Sequence, residues 1–482
     1  MSRPRAWLQV LAVAALLVLL GACAREFPNH ALATYEADNG YRLTRAAPEP
    51  DEDVLLILSF SGGGMRATAF AMGVLEALEA ATYERNGQTR SLLDEADLIS
   101  SVSGGSVTAA AYGLFGRDAF QRLEENFLYE DIMSELIWTG LNPVTWVRLA
   151  SPNFSRIDAL VELFDRRLLS GATYAAMSDR LRPYVVLNAA DMSSGDVFSF
   201  TQEDFDLICS DLSRFSLARA TAASAAFPIA LTPVTLKNFS GESGCGAEFP
   251  SAKWRWVDNA IRGPQFSLER YRWAKRNVAL RHTPEADRDP RYIHLLDGGI
   301  ADNLGLETPW RLLHTVSAEG SLLARINNGD YSRVALIVVN ARSDADRSLD
   351  GDGGTPGIIS MASAVASVPI DRVTSDRQQS IRRFLNDLSQ QKTSLLACRK
   401  AVADACNATL DQRLGFEDTE FYTIDVDFDL AEDVAVRRRL KNIPTTWTLE
   451  KGDVDLLREQ AGVLLNGSLF FQRLMDNLRG GG

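Results

Sequence analysis

An apolar run, Val54-Leu55-Leu56-Ile57-Leu58-Ser59-Phe60, passes without a break into Ser61-Gly62-Gly63-Gly64-Met65-Arg66-Ala67, and beyond it Phe70, Val74, Leu75 and Leu78 recur at helical spacing. The order is strand, glycine turn, helix. Such a turn points free backbone N–H groups and the positive end of a helix at an anion. One candidate is a pyrophosphate, since Gly62-x-Gly64-x-x-Ala67 fits the dinucleotide fingerprint. That reading requires a following strand that ends in an acidic residue, whereas the next strand-like run, from Asp97 to Val102, ends in serine and glycine. No Lys-Ser/Thr follows the glycines as a phosphate loop would need. The second candidate is the oxyanion of an acyl-transfer intermediate, where each aimed N–H donor contributes roughly 3 to 4 kcal/mol. A tight turn with no ligand is the third.

The serine turn is Ser101-Val102-Ser103-Gly104-Gly105. A nucleophile held at strained dihedrals between a strand and a helix needs small residues two positions to either side, and Ser101 and Gly105 supply them. Ser103 is the candidate nucleophile, although a Ser/Gly cluster taken alone reads as a loop. Much later, Tyr292-Ile293-His294-Leu295-Leu296 ends in Asp297-Gly298-Gly299. An aspartate there is by itself an ordinary turn residue. Taken together, the three turns are expected at the carboxyl ends of parallel strands, where open α/β sheets bind ligands. A histidine base is the competing arrangement. His30 precedes the fold, His282 lies in a charged stretch, and His314 follows two leucines in a helical segment. His294 is three residues from Asp297, which puts the two on opposite faces of a strand.

Ser61-Gly62-Gly63-Gly64-Met65-Arg66, Ser101-Val102-Ser103-Gly104-Gly105 and Asp297-Gly298-Gly299, in that order, resemble the patatin-like phospholipase family. The small-residue segment from Arg219 to Pro228 resembles the family as well, and the likeness extends from about Val54 to about Asn340. Ser101 departs from it, standing where the family usually has glycine. The resemblance implies a three-layer α/β/α fold with a mainly parallel central sheet. It also implies a lipid acyl hydrolase with a Ser-Asp dyad: Ser103 attacks the ester, Asp297 is the base, and Gly62, Gly63 and Gly64 hold the oxyanion. Arg66 is then placed to bind a phosphate or the oxyanion. An aspartate near its ordinary pKa of about 4 is a weak base, so Asp297 needs burial or a short bond to Ser103. No cofactor and no metal is called for. The reading from another class is a membrane-anchored binding or scaffold lipoprotein that retains the fold.

At the start of the chain, Arg3 and Arg5 precede an apolar run over residues 7–20, and Leu20-Gly21-Ala22-Cys23 resembles a bacterial lipobox. The expectation is a signal peptide over 1–22 and a lipid anchor on Cys23. Ala24, rather than aspartate, points to the outer membrane or cell surface. A cleaved signal with a chance cysteine is the plainer alternative. The formal charge of −13 opposes nucleic-acid binding, so the expected partners are a phospholipid or other lipid ester and a membrane reached through the anchor. With Cys23 acylated, four cysteines remain, and proximity favours Cys209 with Cys245 and Cys398 with Cys406.

Alternating strand and helix patterns from Val54 onward indicate an α/β layered fold. Residues 23–52 read as a tether, 53–345 as the catalytic domain with insertions at about 116–182 and 237–291, and 346–482 as a mainly helical region packed on it. Trp138 and Trp146 lie in the first insertion, where a lid or a bilayer contact competes with a core role. The acidic glycine run from Asp344 lacks the ligand spacing of a calcium loop and reads as solvated.

Overall fold

The computed structural model describes residues 26–36, 40–42, 54–178, 182–228, 230–241, 245, 251–263, 268–281, 290–314, 322–343, 358–406 and 416–480. The lipobox with Cys23, His282 and the acidic glycine run lie outside them.

Eight strands make the central sheet: β1 (Val54–Phe60), β2 (Ala96–Val102), β3 (Tyr184–Asp191), β4 (Val197–Ser199), β5 (Val234–Lys237), β6 (Tyr292–Asp297), β7 (Arg333–Asn340) and β8 (Glu420–Asp427). Their order is β8-β7-β1-β2-β3-β6-β5, with β4 paired to β3. From β8 to β3 all pairings are parallel. Every residue of β1, β2 and β3 is buried, as expected of strands covered by helices on both faces. The flanking helices used below are α1 (Gly64–Ala80), α2 (Gly104–Phe115), α3 (Ile132–Leu141), α4 (Pro143–Leu149), α5 (Arg156–Phe164), α6 (Leu217–Ser224), α7 (Ile358–Cys406) and α8 (Lys451–Gly467). α8 packs along α1, and β8 extends the sheet beyond β7, so the C-terminal part joins both the sheet and a helical layer.

Three expectations change. β6 runs antiparallel to both β3 and β5, so the sheet is mixed and the Asp297 turn does not end a parallel strand. β3 continues past the end of β2, and β6 comes back along that overhang until Asp297 stands opposite Ala189, beside Asn188, which pairs with Val102. Strands of opposite sense therefore deliver the serine and the aspartate to one point.

The proposed Cys398–Cys406 bond is absent, and both cysteines are free and exposed. They lie on the single helix α7, where eight residues rise about 12 Å, beyond the ~7 Å that a disulfide bridges. Cys209 and Cys245 are bonded as expected.

The stretch read as a tether is packed where it is described. His30–Ala31 pairs with Ser210–Asp211, Tyr41 is fully buried against Tyr184, and Arg42 pairs with Asp206. A few isolated anchors do this, and they leave no periodic pattern to read.

Candidate active site

Ser103 sits between β2 and α2 with φ 50° and ψ −120°, a region that a residue with a Cβ enters only under strain of about 1 to 3 kcal/mol. Its surroundings show why the neighbours must be small. A Cβ on Gly104 would stand 2.0 Å from the Gly64 carbonyl oxygen, and one on Gly105 would stand 2.6 Å from that of Ser61. The two turns thus pack backbone against backbone. A Cβ on Gly62 would come within 3.2 Å of the Ser103 Cβ, which places the glycine loop beside Ser103.

The Ser103 hydroxyl donates to Asp297 Oδ2 at 2.9 Å, and the other carboxylate oxygen accepts the Gly299 N–H at 2.8 Å. Asp297 is buried, and desolvation pushes its carboxyl up to about 6 despite the opposing bonds from Gly299 and Ser103. Burial therefore supplies the basicity that an ordinary aspartate lacks. Among the described residues no histidine bonds to either group, and His294 Nδ1 is engaged with Thr235 Oγ1.

The glycine loop is not uniform. The Gly62 N–H already donates to the Asn303 carbonyl, whereas those of Gly63 and Gly64 have no acceptor among the described residues. Gly63, at φ 143°, caps α1, while Ser103 occupies the same position on α2. Neither helix start has a side-chain cap or an acidic residue in its first turn. Both positive helix ends are left open toward the site.

Arg66 is buried and donates from Nε to the Ala341 carbonyl at 2.7 Å and from Nη1 to that of Ile443 at 2.5 Å. Among the described residues no carboxylate pairs with it, and desolvation lowers its pKa only to about 10, so it stays charged. Its Nη2 lies 3.1 Å from where a Cβ on Gly63 would stand, which puts a permanent positive charge behind the loop.

Other residues hold the pair together. The Ser224 hydroxyl receives the Ser103 N–H at 2.9 Å and donates to the Asn188 carbonyl at 2.6 Å. The last residue of α6 and the segment after it also accept the N–H groups of Gly298, on Ser224, and of Asp297, on Ala226. Asn188 is buried and donates to Ser100 Oγ and the Ser101 carbonyl, while Ser199 and Thr308 donate to its Oδ1. Ser101, the departure from the family's glycine, fits. Its hydroxyl lies 3.0 Å from that of Ser106, which lies 2.9 Å from that of Ser224. A chain of hydroxyls thus runs from Ser101 to the Ser103 backbone.

Sequence reading picked out Ser103, Asp297, the glycines and Arg66, and the fold brings them to one place. It noted the small-residue segment without assigning Ser224 a task, and it missed Asn188. It also missed Thr446, whose carbonyl accepts the Met65 N–H at 2.8 Å and leaves no room for a Cβ on Gly64.

Residues 58–310, just over half of the chain, match the family described as patatin-like phospholipase. The chain belongs to this family. Among solved structures it is similar to human GIVD cytosolic phospholipase A2, at 12% identity and a TM-score of 0.36, over 65% of this chain and 51% of that one. The same human enzyme in complex with methyl gamma-linolenyl fluorophosphonate and terbium chloride aligns at 11% identity and a TM-score of 0.39, over 95% of this chain and 66% of that one. The chain spans about half to two thirds of the length of these distant relatives, and the family assignment rests on the sequence match. A search of the curated proteins finds no match.

Proposed function

We propose that this patatin-like protein is a serine hydrolase of the phospholipase A or lysophospholipase type, working through a Ser103–Asp297 dyad and an acyl-enzyme. The observation that carries the reading is the 2.9 Å bond from a strained serine at a helix start to a buried aspartate. Ser103 Oγ attacks the ester carbonyl carbon and its proton passes to Asp297 Oδ2. The negative charge gathers on the carbonyl oxygen, faced by the N–H groups of Gly63 and Gly64, with Arg66 behind them. Collapse breaks the bond to the alcohol, which takes the proton from Asp297. A water then gives a proton to Asp297 and attacks the acyl carbon, and release of the fatty acid returns the proton to Ser103.

Ser103→Ala is expected to lower hydrolysis of a fluorogenic phospholipid by at least about 10⁴-fold and to abolish labelling by a fluorophosphonate probe. Unchanged turnover would sink the proposal and return the chain to the binding or scaffold reading.

The lipobox resemblance supports export and diacylation at Cys23, with retention at the outer membrane or cell surface. No described helix is long and apolar enough to cross a membrane. Intact-mass measurement of the protein from a bacterial host should show cleavage before Cys23 with added acyl chains, and an unmodified Cys23 would end the anchor proposal.

A further inference from the structure

The helices α3 and α4 carry the most exposed apolar surface of the described chain. Ile137, Trp138, Leu141, Val144, Trp146 and Val147 all stand in solvent, Trp138 at 71% and Val147 at 75% exposure. The two helices touch, and the Trp146 indole N–H donates to the Gly140 carbonyl, so these residues form one patch. Contiguous apolar surface of this kind marks an interface.

Three features indicate what covers it. The first is charge. The patch helices contain only Glu135 and Arg148, and both are already paired, with Arg166 and Arg167 and with Glu162. The surface therefore presents tryptophans and aliphatic groups without a free charge, which suits the boundary of a bilayer. The second is its link to the catalytic loop. Thr446 holds the Met65 N–H beside Gly64, and two residues on, Thr448 Oγ1 accepts the Met133 N–H in the first turn of α3. The third is the path of the N-terminal segment. The Glu26 N–H donates to Asn153 Oδ1, four residues past the end of α4. Glu26 is therefore held next to the end of this face, three positions along the sequence from the cysteine of the lipobox.

We infer that the α3–α4 face is the surface on which the protein lies against a lipid bilayer, so that the N-terminal segment emerges beside it and the catalytic loop stands close behind it. The inference takes its meaning from the lipid-hydrolase reading, but its physical test does not depend on catalysis.

The full chain is mixed with phosphatidylcholine vesicles carrying bromine on the acyl chains, and tryptophan emission is recorded. Emission should be quenched, and Trp138→Phe with Trp146→Phe should remove most of the quenching whether or not Cys23 carries lipid. A second variant, Val144→Ser with Val147→Ser, changes only exposed side chains and should not disturb folding. It should lower hydrolysis of the same vesicles by about tenfold through weaker surface binding, while hydrolysis of a soluble short-chain ester stays at the wild-type rate. Quenching equal in wild type and the phenylalanine variant would overturn the inference, as would a dimer in sedimentation that the serine variant splits while vesicles leave the emission unchanged. If quenching behaves as expected but no ester is cleaved, the docking face stands and the hydrolase reading fails.

Discussion

Asp297 and Asp302 lie in one short segment, both are buried, and desolvation is the largest cause that pushes each carboxyl to about 6. Their partners differ. Asp297 shares its oxygens between one backbone N–H and the Ser103 hydroxyl, whereas among the described residues Asp302 accepts only from backbone N–H groups, those of Leu304 and Glu307. Asp302 thereby fixes the turn into the helix Glu307–His314. Asp297 faces an atom that can give up a proton. A raised pKa reports burial in both, and only the geometry separates a base from a clasp.

The comparison breaks most sharply under substitution. Asp297→Asn should cost about 10³-fold in kcat, the scale of a lost general base, whereas Asp302→Asn should stay within about tenfold in kcat and instead lower stability by about 1 to 3 kcal/mol, as Leu304 and Glu307 donate to different carboxylate oxygens and one of these amides loses its acceptor. Equal kinetic losses in the two variants would remove the distinction.

Dependence on pH gives the next largest effect. Asp297 must be ionised to act, so kcat/KM should rise with an apparent pKa of about 6, and Asp302→Asn should leave that limb in place. Stability should move the opposite way. Each carboxyl binds its proton more tightly in the folded state, so the stabilisation is full below about 4 and is lost as pH rises through about 6. Asp297→Asn should flatten part of that decline in a series of thermal melts at different pH.

Smaller effects test the hydroxyl chain. Ser224→Ala should lower kcat by about tenfold, equivalent to about 1.4 kcal/mol, with KM little changed. Ser101→Gly should cost about 1 kcal/mol or less in stability and only about twofold in kcat. A loss from Ser101→Gly as large as that from Ser224→Ala would mean that the chain acts as one unit.

These residues mark how far the sequence could be read. Strand-length apolar runs ending in Gly62–Gly64, Ser103 and Asp297 carry a local signal, because a tight turn demands small residues wherever it occurs. The direction of β6 carries none, since a strand and its reverse have the same alternation. Ser224 and Asn188 look like any polar residue in a helix or strand until the fold places them beside Ser103. Trp138 and Trp146 were legible as aromatic residues over a site, but their exposure depends on what fails to cover them. The pairing of Cys398 with Cys406 went astray because closeness along a helix is not closeness in space.

Thr446 lies hundreds of residues downstream of the loop that it steadies. A nascent chain that has passed Asp297 already contains both Ser103 and Asp297, but the glycine loop beside them still lacks the carbonyl that holds the Met65 N–H. Loss of the chain from Thr446 onward would therefore release the glycine loop while leaving Ser103 and Asp297 themselves untouched.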